Sequence, residues 1–153
     1  MATITSTPTA TSLSLSGTTS KSGTISWGMP TVPNDATVTS RVLTGTVSIS
    51  MSKGTCKNLK INGQSVTAEN GTAFEINLGA NSTTTSVVTS ANGGNKNSTG
   101  TVSFTNLVYT VTYELPVESV LNLYFGSTVI SNVYVGGTKI IRVCIGDNVI
   151  YEV

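Results

Sequence analysis

Side chains able to carry out acid–base or nucleophilic chemistry are scarce in this sequence. The chain has no histidine, so it holds neither a Ser-His-Asp nor a Cys-His arrangement, and neither Cys56 nor Cys144 has a base near it in sequence to activate it. With no second thiol or imidazole close to either, the two cysteines are expected to be free and mostly buried rather than a disulfide or a zinc half-site. The carboxylates are Asp35, Glu69, Glu75, Glu114, Glu118, Asp147 and Glu152. A glycosidase would need two of them flanking one cleft. Glu69 and Glu75 bracket a turn and the start of a strand and could approach each other, but their setting is that of solvated loop and strand-edge charges. The loop Asn92-Gly93-Gly94-Asn95 is rich in glycine, yet no helical pattern follows it to complete a phosphate cradle. The expectation is no catalytic residue, no cofactor and no metal.

Whatever positions these few groups is built from neutral residues. Of the 153 residues, eight are Lys or Arg and seven are Asp or Glu, for a net charge of +1. No basic run stands out as a footprint for a nucleic-acid backbone, so nucleic acid is not an expected partner. Ser and Thr supply 47 residues, while Val, Ile, Leu and Phe remain frequent enough to fill an interior, so the composition is not that of a disordered chain. The stretch from Met1 to Gly17 has neither the basic start nor the apolar stretch of a signal peptide, and no segment approaches 18 consecutive apolar residues. The reading is therefore a soluble protein made in a cytoplasm, with no membrane partner.

Apolar residues alternate with period two almost throughout, which predicts an all-β fold. The clearest strands are 24–28 (Ile25, Trp27), 36–43, 46–52 (Val47, Ile49, Met51), 73–78 (Phe74, Ile76, Leu78), 101–105 (Val102, Phe104) and 107–114 (Tyr109, Val111, Tyr113). Weaker ones fall at 12–16, 58–62 and 86–90. Gly45, Asn62-Gly63, Asn70-Gly71, the 92–95 loop and Asn106 stand where hairpin turns are expected, because Gly and Asn reach positive φ at little cost. Eight or nine short strands at this spacing read as a jelly roll or other β-sandwich over 21–116, preceded by an N-terminal arm or first strand at 1–20. Trp27, Phe74, Ile76, Phe104, Tyr109, Val111 and Tyr113 lie on the apolar parity of their strands and are the predicted core.

After Pro116 a period of ten residues appears. It aligns Tyr124, Tyr134 and Cys144; Gly126, Gly136 and Gly146; Thr128, Thr138 and Asn148; and Ile130, Ile140 and Ile150. Each unit reads as an apolar strand, a turn led by glycine and a second apolar strand, so 117–153 is expected to be a small β-hairpin repeat unit. Three such hairpins cannot cover their own apolar faces. Either the sandwich covers them, or identical tails of neighbouring subunits do in a threefold or similar symmetric stalk. The second alternative makes Leu123, Tyr124, Ile130, Val133, Tyr134, Ile140, Val143, Ile145 and Ile150 the candidate assembly interface of a homo-oligomer.

The segment 25–45, with Pro33, Ala36, Thr37, Val38, Thr39, Ser40 and Leu43, resembles the early strands of jelly-roll modules similar to carbohydrate-binding domains. The strand Val108-Tyr109-Thr110-Val111-Thr112-Tyr113-Glu114 resembles the closing strand of such modules. The ten-residue tail resembles the Tyr-aliphatic-Gly repeats that close many structural proteins of tailed bacteriophages. The resemblance covers about half the chain. It implies a non-enzymatic virion protein, a surface-exposed capsid decoration, head fibre or tail accessory whose partners are other virion proteins. The alternative is a host-adhesion module of a tail or baseplate that binds a cell-surface receptor or glycan, which would gather exposed aromatic residues at one end of the sandwich.

Overall fold

Alternation of period two sends every second side chain to one face of a strand, and two sheets laid face to face bury those apolar faces against each other. A computed structural model of the chain describes residues 1–116, and beyond them the backbone of 123–125, 128–130, 134–135, 138–139, 142–145 and 148–152. It divides into two units, Met1–Leu115 and Pro116–Val153.

The first unit is a sandwich of two antiparallel sheets built from ten strands: β1 (Ala2–Ser6), β2 (Thr9–Ala10), β3 (Leu13–Ser16), β4 (Lys21–Ser26), β5 (Thr37–Lys53), β6 (Cys56–Ile61), β7 (Gln64–Ser65), β8 (Ala73–Asn77), β9 (Ser86–Gly93) and β10 (Thr99–Glu114). One sheet has the order β1-β10-β5-β8, with β3 continuing the line of β1 along β10; the other has the order β2-β4-β9-β6-β7. From β3 to β10 the chain passes back and forth between the sheets, and β10 returns to lie between the first strand and β5. That order is a jelly roll.

Residues 1–20 are thus part of the sandwich and not a separate arm. Their chain runs along β10 as β1, crosses at the buried Pro8 to pair two residues with β4, and returns as β3. Proline suits that crossing because it has no N–H to leave unpaired between sheets.

Two expected turns prove to lie inside long strands. The segments 36–43 and 46–52 form the single 17-residue strand β5, and 101–105 and 107–114 form the single 16-residue strand β10. Asn106 does take the left-handed conformation its type suggested, at φ 52°, but it uses that conformation for a bulge between Thr105 and Val108. Gly45 is opposite Phe74 in the ladder. A Cβ at Gly45 would stand 2.7 Å from both Phe74 Cζ and Leu107 Cδ2, so glycine is there to admit two side chains and not to reverse the chain. Asn62-Gly63 is a true hairpin, with φ of 52° and 75° joining β6 to β7.

The interior is continuous between the sheets. Leu13, Leu15, Ile25, Leu43, Val47, Leu59, Ile61, Ile76, Val102, Tyr109 and Val111 are fully buried, and Trp27, Phe74 and Phe104 nearly so. Trp27 stacks on Tyr109 with ring centroids 4.7 Å apart, and Phe74 meets Phe104 edge to face at 6.2 Å; such pairs add about 0.5–1.5 kcal/mol each beyond area burial. Tyr113 departs from the expected core and is only half-buried. It sits next to the end of β10, opposite Ala2 and Val38.

Among the described residues of the second unit are three antiparallel strand pairs: β11 (Leu123–Phe125) with β12 (Thr128–Ile130), β13 (Tyr134–Val135) with β14 (Thr138–Lys139), and β15 (Arg142–Ile145) with β16 (Asn148–Glu152).

Candidate functional site

Of the nine tail residues expected to form an assembly surface, seven fall on the described hairpin strands. The innermost pairs, Phe125 with Thr128, Val135 with Thr138 and Ile145 with Asn148, recur every ten residues. Leu123 faces Ile130, Tyr124 faces Val129, and Tyr134 faces Lys139. In the third hairpin Val143 pairs with Tyr151 because a bulge follows it, so Ile150 does not occupy the paired position that Ile130 holds in the first. Ile145 is in the innermost pair of that hairpin. Val133 and Ile140 lie outside the described residues.

In the sandwich, Glu69 and Glu75 are both exposed. Glu75 is on the edge strand β8, opposite Thr44, and lines an open groove of about 230 Å³ with Gln64, Ser65, Thr67 and Thr72 of the facing sheet edge and its loop. Glu69 is in the turn before β8, where its carbonyl accepts a hydrogen bond from the Thr72 amide at 3.3 Å, and is not on the groove wall. The fold therefore does not set the two carboxyls across one cleft. Among the described residues no three His, Cys, Asp or Glu side chains group as metal ligands. Cys56 is free and buried, and burial raises its thiol pKa. A raised value means less thiolate at neutral pH, the opposite of an activated nucleophile.

The two ends of the sandwich differ. At one end, Arg41 donates from Nε to the Ala80 carbonyl at 2.9 Å and from a terminal nitrogen to Tyr109 Oη at 3.2 Å and Met29 Sδ at 3.1 Å. Tyr109 carries the stacked Trp27, whose indole N–H is buried without a partner among the described residues. All three acceptors of Arg41 are neutral, so the guanidinium ties the 27–36 and 78–85 loops to β10 through dipoles. Trp27 and Tyr109 at this end are buried and offer no exposed platform for a sugar ring, and Tyr113 near the end of β10 is half-buried.

At the other end three loops are laced together. The Gly17 amide donates to the Ser98 carbonyl at 2.8 Å, the Gly93 amide to Gly17 at 3.0 Å, the Gly94 amide to Thr55 at 2.7 Å, and the Asn92 side-chain amide to Thr18 at 3.2 Å. Gly17 and Gly54 have φ of 64° and 69°, and Cβ atoms at Gly54 and Gly93 would run into Ser98. All five lysines of the sandwich are at or beside this end: Lys21 opens β4, Lys53 closes β5, Lys57 and Lys60 are exposed on β6, and Lys96 is in the β9–β10 turn. None of the carboxylates Asp35, Glu69, Glu75 and Glu114 falls in those loops or on β4, β6 or β9.

The near-neutral net charge hides this polarity. Its sequence signal is the lack of any acidic residue in 1–34, 36–68 and 76–113, which acquires meaning only once the topology places residues 21, 53, 57, 60 and 96 together. Compared with known proteins, the chain matches no family model, no curated protein and no solved structure.

Proposed function

We propose that the chain is a non-enzymatic structural component of a tailed-bacteriophage virion, a surface-exposed capsid decoration, head fibre or tail accessory that assembles through its C-terminal hairpins. The observation that carries this reading is the recurrence every ten residues of the innermost hairpin pairs in a unit separate from the sandwich. An isolated two-stranded hairpin is marginally stable in water and requires a covering face, and identical copies of the same repeat supply one with matching register. The Ser/Thr-rich outer faces of the sandwich keep β propensity high at low charge, which suits a crowded lattice. The scattered carboxylates and the inactivated Cys56 support the non-enzymatic part of the reading, and the inward-facing aromatics favour a structural over an aromatic glycan-binding role.

Immunogold electron microscopy with antibodies raised against the sandwich tests the location. Label at a fixed position on purified particles from a lysate that expresses the gene is the expected result. A protein that stays in the soluble fraction, with particles unlabelled and free of its peptides by mass spectrometry, refutes it.

A further inference from the structure

The lysine-bearing end of the sandwich has no assigned role. Lys57 and Lys60 project from the outer face of the β4-β9-β6 sheet, opposite Asn92 and Ser90, and Ser22 lies across from Ser90 on β4. Lys21, half-buried at the start of β4 opposite the buried Ala91, is in the next row on the inward parity of its strand, with its backbone two strands and so about 10 Å from that of Lys60. The Lys57 stem passes 3.4 Å from where a Gly94 Cβ would be, and the Lys96 backbone lies over Gly17, so both side chains leave from the laced loops. Lys53 completes the rim. Five cations thus share one end with hydroxyl and amide groups between them and no carboxylate of the sandwich to neutralise them.

We infer that this end binds a flexible phosphodiester polymer of polyol or sugar units. Charge complementarity requires an anionic partner, and the details select among anions. All five cations are lysines, point charges on mobile stems that follow a polymer of variable geometry, whereas the one arginine of the sandwich, whose rigid fork suits a fixed bidentate carboxylate or phosphate, is held at the other end by Ala80, Tyr109 and Met29. Lysine is depleted from the centres of protein–protein interfaces, which argues against an acidic protein. Single-stranded nucleic acid is held in part by bases stacking on aromatic rings; the aromatics of the sandwich are Trp27, Phe74, Phe104 and Tyr109, all buried, and Tyr113, half-buried towards the far end of β10. Ser22 and Ser90 provide the hydrogen-bonding surface that polyol hydroxyls use. The laced loops hold the end in one arrangement before binding, which lowers the ordering cost. This site rests on the sandwich alone and is independent of the hairpin reading.

The test is titration of the full chain with poly(glycerol phosphate), single-stranded DNA of equal charge and neutral dextran at 20 and 200 mM salt. Counterion release from a flexible polyanion gives a slope of roughly 0.7 per contact, so five lysines lose about three and a half decades of affinity over that range. Lys57→Gln/Lys60→Gln should lose about two decades and bind more weakly at 20 mM salt, while Lys57→Arg/Lys60→Arg, which keeps the charge, should bind as the parent does. Parent-like binding by the Gln variant, equal binding of dextran, tighter binding of DNA than of poly(glycerol phosphate), or no binding at 20 mM salt each overturns the inference.

Discussion

Replacing Gly45 by alanine distinguishes sharply between a glycine that turns the chain and one that admits a neighbour. The residue is in the middle of β5 and is not among the positive-φ positions, so its backbone accepts alanine without strain. On that ground alone Gly45→Ala would stabilise by about 0.4–1 kcal/mol through the unfolded chain. The new Cβ, however, would stand 2.7 Å from Leu107 Cδ2 and Phe74 Cζ and 2.9 Å from Phe74 Cε1, inside a packed core. Overpacking of this kind costs about 1–3 kcal/mol, so the net change is a destabilisation of roughly 0.5–2 kcal/mol. For a domain of this size that lowers Tm by roughly 2–10 °C. Trp27 is the only tryptophan and is buried against Tyr109, so urea unfolding followed by its fluorescence reads the sandwich alone. Phe74→Leu should relieve part of the clash, giving a favourable coupling of at least about 0.5 kcal/mol in the double-mutant cycle. A Gly45→Ala protein as stable as the parent or more so, with no coupling to position 74, would refute the packing argument.

Three further expectations follow from local geometry. Asn106→Val should destabilise by about 1–3 kcal/mol because a β-branched residue resists the left-handed bulge at φ 52°, while Asn106→Gly should stay within a few tenths; equal stability of both by urea titration contradicts the bulge. In a Cys144→Ser background, Cys56 should react slowly with a thiol reagent in the folded state and quickly in urea. Because burial raises its folded pKa, the unfolded chain loses the proton first, so stability is retained below the ordinary thiol pKa and falls as pH rises from about 8.5 through the folded value; a Cys56→Ala control whose urea midpoint shows the same decline removes Cys56 as the cause. Peptidoglycan and glycan substrates should show no hydrolysis above blank, and activity that vanishes on Glu75→Gln would reverse the non-enzymatic reading.

The β character and much of the core were legible because alternation marks the buried parity: Phe74 with Ile76, Val102 with Phe104 and Tyr109 with Val111 all point inward as expected. What the sequence did not reveal lies where one residue type serves two geometries. Asn106 and Gly45 carry the same local signals as a hairpin turn, and only long-range pairing shows that a bulge and a close approach use them instead. The first strand was obscured because Thr and Ser flank Ile4 and its partner, β10, is about a hundred positions away, whereas Leu13 and Leu15 marked 12–16 as a weak strand that the structure forms as β3. The lysine end was invisible for the same reason, since its five members come from three strands and a turn.

The central claim is that the hairpin unit is the association element, and multi-angle light scattering of the full chain against residues 1–115 tests it most directly. The boundary follows the division of the fold. A full chain with the mass of a defined oligomer, beside a truncation that is monomeric and retains the fluorescence and cooperative unfolding of buried Trp27, is the predicted result. A full chain that remains monomeric at high concentration, or a truncation that still forms the same oligomer, contradicts it.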